Sequence, residues 1–137
     1  MSEPAGKILV IEDHPPLAEF LAAILTDAGF DVVVASDGAA GLATYEELQP
    51  DCILLDLLMP LLDGAVVIDA IRERDKETVI VVLSALRDTE VRLRMLQAGA
   101  DDYVEKPFAS DQLVARVARS LESARPRRGS PPTGAAS

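Results

Sequence analysis

Five short apolar runs punctuate the chain at regular spacing: Ile8 to Ile11, Val32 to Ala35, Cys52 to Leu55, Val79 to Leu83, and Tyr103 with Val104. They are rich in Val and Ile and bounded by Asp, Gly or Pro, which predicts strands. The central runs are continuously apolar, as expected of parallel strands covered on both faces. Helical patterns lie between them. Leu17, Leu21, Ile24, Leu25 and Ala28 fall on one helical face, with Pro15 and Pro16 suited to a first turn and Gly29 to the end. Asp37 caps a second helix that runs through about Leu48 and is closed by Pro50. Asp63 and Gly64 open a third carrying Val67, Ile68 and Ile71. Asp88 opens a fourth that stops near Gly99, and Ser110 opens a fifth with Leu113, Val114, Val117 and Leu121. Five β-α units in series predict an α/β fold, a doubly wound parallel sheet with helices on both faces.

Composition narrows the class. Hydrophobic residues make up 49% of the 137 residues, so the body is globular. From Ser123 the sequence SARPRRGSPPTGAAS has no apolar periodicity. The expected division is one domain over 1–122 and a disordered tail or interdomain linker over 123–137. No apolar run reaches the ~18 residues that span a bilayer, and the first residues do not form a signal peptide. The lone cysteine, Cys52, sits in an apolar run and reads as a small core residue; it excludes an intramolecular disulfide and fits a cytoplasmic location. The net charge is −10, and three of the thirteen basic residues, Arg125, Arg127 and Arg128, lie in the tail. So acidic a body argues against direct nucleic-acid binding and for cations or basic surfaces as partners.

In parallel sheets, ligands bind beyond the carboxyl ends of the strands. The first strand ends in Glu12-Asp13, the third in Asp56, the fourth in Ser84-Ala85, and Lys106-Pro107 follows the fifth. Three carboxylates at one edge repel one another unless a cation joins them. Oxygen ligands of this kind suit Mg²⁺. An aspartate there can act as a nucleophile toward phosphorus, with the metal and Lys106 neutralising charge and the Ser84 hydroxyl donating to a phosphoryl oxygen. Each residue alone has a plainer reading: Asp56 a solvated strand end, Ser84 a turn residue, Lys106 a surface lysine, Tyr103 a half-buried aromatic. Their combination favours the chemical one. His14 is read as a loop residue.

The motifs ILVIEDH, ILLDLLMPLLDG, VVLSA and GADDYVEKPF occur in an order and separation that resemble the receiver domain of bacterial two-component response regulators. The resemblance covers residue 7 to about 122 and is nearest to receivers of winged-helix transcription regulators. It implies a flavodoxin-like sheet of order 2-1-3-4-5 with five helices. It also implies that Asp56 is the phosphoacceptor, and that Glu12, Asp13, Asp56 and the backbone carbonyl of Leu58 hold Mg²⁺. Ser84 and Lys106 then contact the phosphoryl group, Ser84 and Tyr103 form the switch, and Pro107 follows a cis peptide. The implied donor is a sensor histidine kinase or a phosphotransfer protein. The face of the fourth helix, fifth strand and fifth helix is expected to respond, in a homodimer with charge pairs from Asp101, Asp102 and Arg116 across it, and to control a transcriptional effector. Any enzymatic activity is confined to self-phosphorylation and self-dephosphorylation. The alternatives are a stand-alone receiver acting by protein contact and a binding module that is never phosphorylated. A haloacid-dehalogenase phosphatase would need an acid where Leu58 stands, and a flavodoxin a Ser/Thr/Gly-rich loop where EDHPPL stands.

Overall fold

The computed structural model describes residues 6–57 and 64–126. Five strands alternate with five helices: β1 (Lys7–Ile11), α1 (Pro15–Asp27), β2 (Asp31–Ala35), α2 (Gly38–Leu48), β3 (Cys52–Asp56), α3 (Gly64–Arg72), β4 (Val79–Ser84), α4 (Thr89–Ala98), β5 (Asp102–Glu105) and α5 (Ser110–Ala124). The sheet is parallel throughout, in the order β2-β1-β3-β4-β5. Right-handed crossovers explain the layering. The chain steps from β1 to β2 in one direction and then reverses through β3, β4 and β5. The reversal puts α1 on one face and α2, α3 and α4 on the other.

Strand periodicity builds the two cores. Leu9, Ile11, Ile53, Leu55, Ile80, Val82 and Tyr103 point to the α2-α3-α4 side, where they meet Tyr45, Ile68, Ile71 and Met95. Ile8, Val10, Cys52, Leu54, Val81, Leu83 and Val104 point to the other, against Leu21 and Leu25 of α1 and Leu113 and Val117 of α5. Each fully buried aliphatic side chain contributes roughly 1.5–3 kcal/mol. Cys52 is one of these core residues.

The caps follow local chemistry. Asp37 accepts from the Ala40 amide at 2.7 Å and Asp88 from the Glu90 amide at 2.8 Å, satisfying amides that a helix start leaves without partners. Gly29 and Gly99 take positive φ after α1 and α4. Gln49, in the left-handed region (φ 50°), closes α2 after Leu48, where the sequence places its end. One end differs from the sequence reading. Helix α5 runs through Ser123 to Ala124, because the Ala124 methyl still buries against the α1-α5 core. Asp63, Met59-Pro60 and the tail from 127 lie outside the described residues. No helix among the described residues is long and apolar enough to cross a membrane.

Candidate phosphoacceptor site

The order reverses between β1 and β3, the point at the carboxyl edge where sheets of this kind bind ligands. Ile11 pairs with Leu55, so Glu12 and Asp56 leave adjacent strands side by side. Asp56 closes β3 and is 4% exposed; Glu12 is 2% exposed, whereas Asp13 is exposed. One carboxylate oxygen from each of Glu12, Asp13 and Asp56 lies within 4.8 Å of the others. From the β5 side, Lys106 Nζ donates to Asp56 Oδ2 at 3.0 Å. The backbone delivers it there. Lys106 N donates to Ser84 O at 2.8 Å, and the Lys106–Pro107 peptide is cis.

Glu12 carries the strain of this crowding. Its Oε2 accepts from the His14 amide at 3.1 Å, but its buried Oε1 has no hydrogen-bond partner. Burial, and after it the facing Asp56 carboxylate, push its pKa up to about 8, against the relief given by the His14 amide and Lys106. A buried acceptor without a donor, beside two more carboxylates, is what a divalent cation with oxygen ligands would complete. The residues fit such an ion.

Ser84 ends β4, fully buried, one step beyond the Leu83 that pairs with Asp56. Its Oγ accepts from the Leu86 amide at 2.9 Å. Tyr103 points inward and is 1% exposed, more buried than a half-buried aromatic, and its hydroxyl donates to the Leu86 carbonyl at 2.9 Å. The Arg92 guanidinium stands 5.8 Å from its ring. Leu86 therefore links the two expected switch residues through its own main chain. Sequence reasoning missed that link, since a backbone bridge has no residue-type signature.

The structure thus brings Glu12, Asp13, Asp56 and Lys106 together, with Ser84 at the adjoining strand end and Tyr103 beneath the β4-α4 loop. The Leu58 carbonyl lies outside the described residues. The charges expected to pair across a dimer have partners within the chain. Arg116 Nε and a terminal nitrogen hold Asp102 at 2.9 and 2.6 Å, which keeps the guanidinium firmly protonated. Arg72 holds Asp101 at 3.2 Å. Both acids lie within reach of an arginine on a neighbouring helix, so within-chain pairing competes with any pairing between chains.

Residues 8–118 match the family model described as response regulator receiver domain. The chain belongs to this family. It is 45% identical over 115 residues to the DNA-binding response regulator MtrA of Mycolicibacterium smegmatis, covering 84% of this chain and 50% of that protein. It is 42% identical over 127 residues to the transcriptional regulatory protein PrrA of Mycobacterium tuberculosis, covering 93% and 53%. The chain spans about half the length of the curated relatives it matches. Among solved structures, the receiver domain of the Francisella response regulator 1452 superposes with a TM-score of 0.80 at 35% identity, covering 86% of this chain and 98% of that one. A CheY-like receiver domain protein from Methanospirillum hungatei shares the fold, with a TM-score of 0.85 at 22% identity.

Proposed function

We propose that this receiver is a phosphorelay switch in which Asp56 takes a phosphoryl group from a sensor histidine kinase or phosphotransfer protein. The observation that carries the reading is the buried Asp56 carboxylate, held by Lys106 at 3.0 Å and clustered with Glu12 and Asp13. An Asp56 oxygen attacks phosphorus, the phosphorus–nitrogen bond of the donor phosphohistidine breaks, and the imidazole nitrogen keeps the electron pair and takes up a proton. Glu12, Asp13 and Asp56 would hold Mg²⁺, which supplies positive charge to the transferring group. Lys106 supplies a second positive charge from the β5 side, and Asp56 is presented from a rigid strand end.

The product adds charge and acceptor oxygens at the sheet edge. The Ser84 hydroxyl, while accepting from Leu86 N–H, still has its own proton to donate to a phosphoryl oxygen. Its reorientation is felt by Leu86 and hence by Tyr103. We read the response as a shift between two arrangements of α4, β5 and α5. Relatives named as DNA-binding and transcriptional regulators support control of a transcriptional effector; the switch itself is read as cytoplasmic and as not contacting DNA.

Intact mass after incubation with acetyl phosphate tests the chemistry, with and without Mg²⁺ and beside Asp56→Ala. One phosphoryl group should be gained only when both Mg²⁺ and Asp56 are present. A folded, Mg²⁺-binding protein that gains none from acetyl phosphate or from a phosphorylated kinase would refute the proposal.

A further inference from the structure

We infer that Gly41 is a positioning residue for the acidic pocket, setting through Ile11 where Glu12 and Asp13 stand. The inference rests on the reading of that pocket as a cation-dependent phosphoacceptor site. Gly41 lies buried in the first half of α2, where the helix crosses the end of β1. A Cβ built there would stand 2.5 Å from Ile11 Cδ1, 2.8 Å from Cγ1 and 3.2 Å from Cγ2. Three atoms of one side chain are therefore too close, not merely its far end. The lack of a side chain is what lets α2 approach the strand.

Ile11 has nowhere to retreat. It is fully buried, in the core that also holds Ala35, Tyr45 and Leu55. Its backbone lies between its register partners Ala35 and Leu55. Packed interiors transmit such displacements instead of absorbing them. The next residues beyond β1 are Glu12, whose amide donates to Ala35 O at 3.0 Å, and Asp13. A side chain at 41 therefore pushes on the segment that presents two of the three pocket carboxylates. Mg²⁺ tolerates little of this, since it demands near-ideal octahedral geometry at about 2.0–2.1 Å. Gly41 touches neither ion nor phosphoryl group; it acts by leaving room.

The test measures Mg²⁺ binding by titration with magnesium chloride, followed by amide chemical shifts, in the whole chain. Thermal unfolding runs alongside. Gly41→Ala should fold, since alanine favours the helix, yet bind Mg²⁺ about tenfold more weakly, the scale of outer-shell effects on metal sites. Adding Ile11→Ala removes all three clashing atoms and should recover most of the loss, although Ile11→Ala touches no ligand. A folded Gly41→Ala with the parent's affinity overturns the inference, as does a double variant no tighter than Gly41→Ala. Should Gly41→Ala not fold, the double variant decides: affinity near the parent's supports the inference, and weak binding overturns it. Failure of the parent itself to bind Mg²⁺ would instead strike the proposed function, so the two failures are distinguishable.

Discussion

Glu12→Gln gives opposite results with and without the cation, and the sign follows from the site. Glu12 is 2% exposed, its Oε1 has no donor, and its pKa rises from 4.5 to about 8 through burial and the facing Asp56 carboxylate. The folded state therefore binds the proton more tightly than the unfolded chain. Between about pH 4.5 and about pH 8 the unfolded chain gives up this proton first, so the Glu12 contribution to stability falls as pH rises. Each pH unit inside the window costs at most about 1.4 kcal/mol. Lys106 and the His14 amide offset part of the charge, so the accumulated cost at about pH 8.5 is on the order of 1–3 kcal/mol.

Glutamine has no proton to lose, and its amide can donate to Asp56. Without divalent ions, Glu12→Gln should be more stable than the parent by about 1–3 kcal/mol at about pH 8.5, with little difference near about pH 5. Mg²⁺ at about 100 times its dissociation constant adds about 2.7 kcal/mol to the parent. The variant, missing one carboxylate ligand, should gain much less, so the order of stabilities reverses. Urea unfolding followed by far-ultraviolet circular dichroism reads this directly. The reasoning fails if Glu12→Gln destabilises the metal-free protein equally at both pH values, or if Mg²⁺ stabilises both proteins alike.

Three further outcomes follow from particular contacts. Tyr45 Oη donates to Asp75 Oδ2 at 2.7 Å, and Tyr45→Phe should cost about 1 kcal/mol in urea unfolding near neutral pH. Burial pushes the Asp75 carboxyl up, but Tyr45, the Glu77 and Thr78 amides and Arg72 outweigh it and hold it below 3.8. That stability is present above the unfolded value and lost as pH falls through the folded one, so the Tyr45→Phe deficit should shrink below about pH 4. Arg72 donates to Gly99 O at 3.1 and 2.8 Å, to Asp75 O at 3.1 Å and to Asp101 at 3.2 Å; Arg72→Ala should cost about 2–4 kcal/mol, and a double-mutant cycle with Asp101→Asn should show coupling. Leu86 presents a 40% exposed apolar side chain two residues past Ser84, so Leu86→Glu should lose phosphate faster than the parent, as should Leu58→Asn. Equal or slower decay, read by intact mass over time, would show that these apolar side chains do not shield the acyl phosphate from water.

How much was legible depended on whether a feature announces itself by residue type or by contact across the fold. Strand periodicity splits Leu9 and Ile11 from Ile8 and Val10, so both core layers could be expected from apolar runs alone. The three carboxylates and Lys106 were legible because each ends or follows a strand, and parallel strands bring their carboxyl ends to one edge. The end of α5 was misplaced because Ala124 is buried without breaking the tail's composition. Asp101, Asp102 and Arg116 were recognisable as charges, but their partners within the chain are a matter of helix packing. Gly41 gave no signal at all. Its neighbours in sequence are those of an ordinary helix, and only the distance from its missing Cβ to Ile11 shows that α2 approaches β1 beside the pocket. Composition reveals which groups can do chemistry at a strand end; the spacing that makes them do it is set by residues whose contribution is a volume left empty.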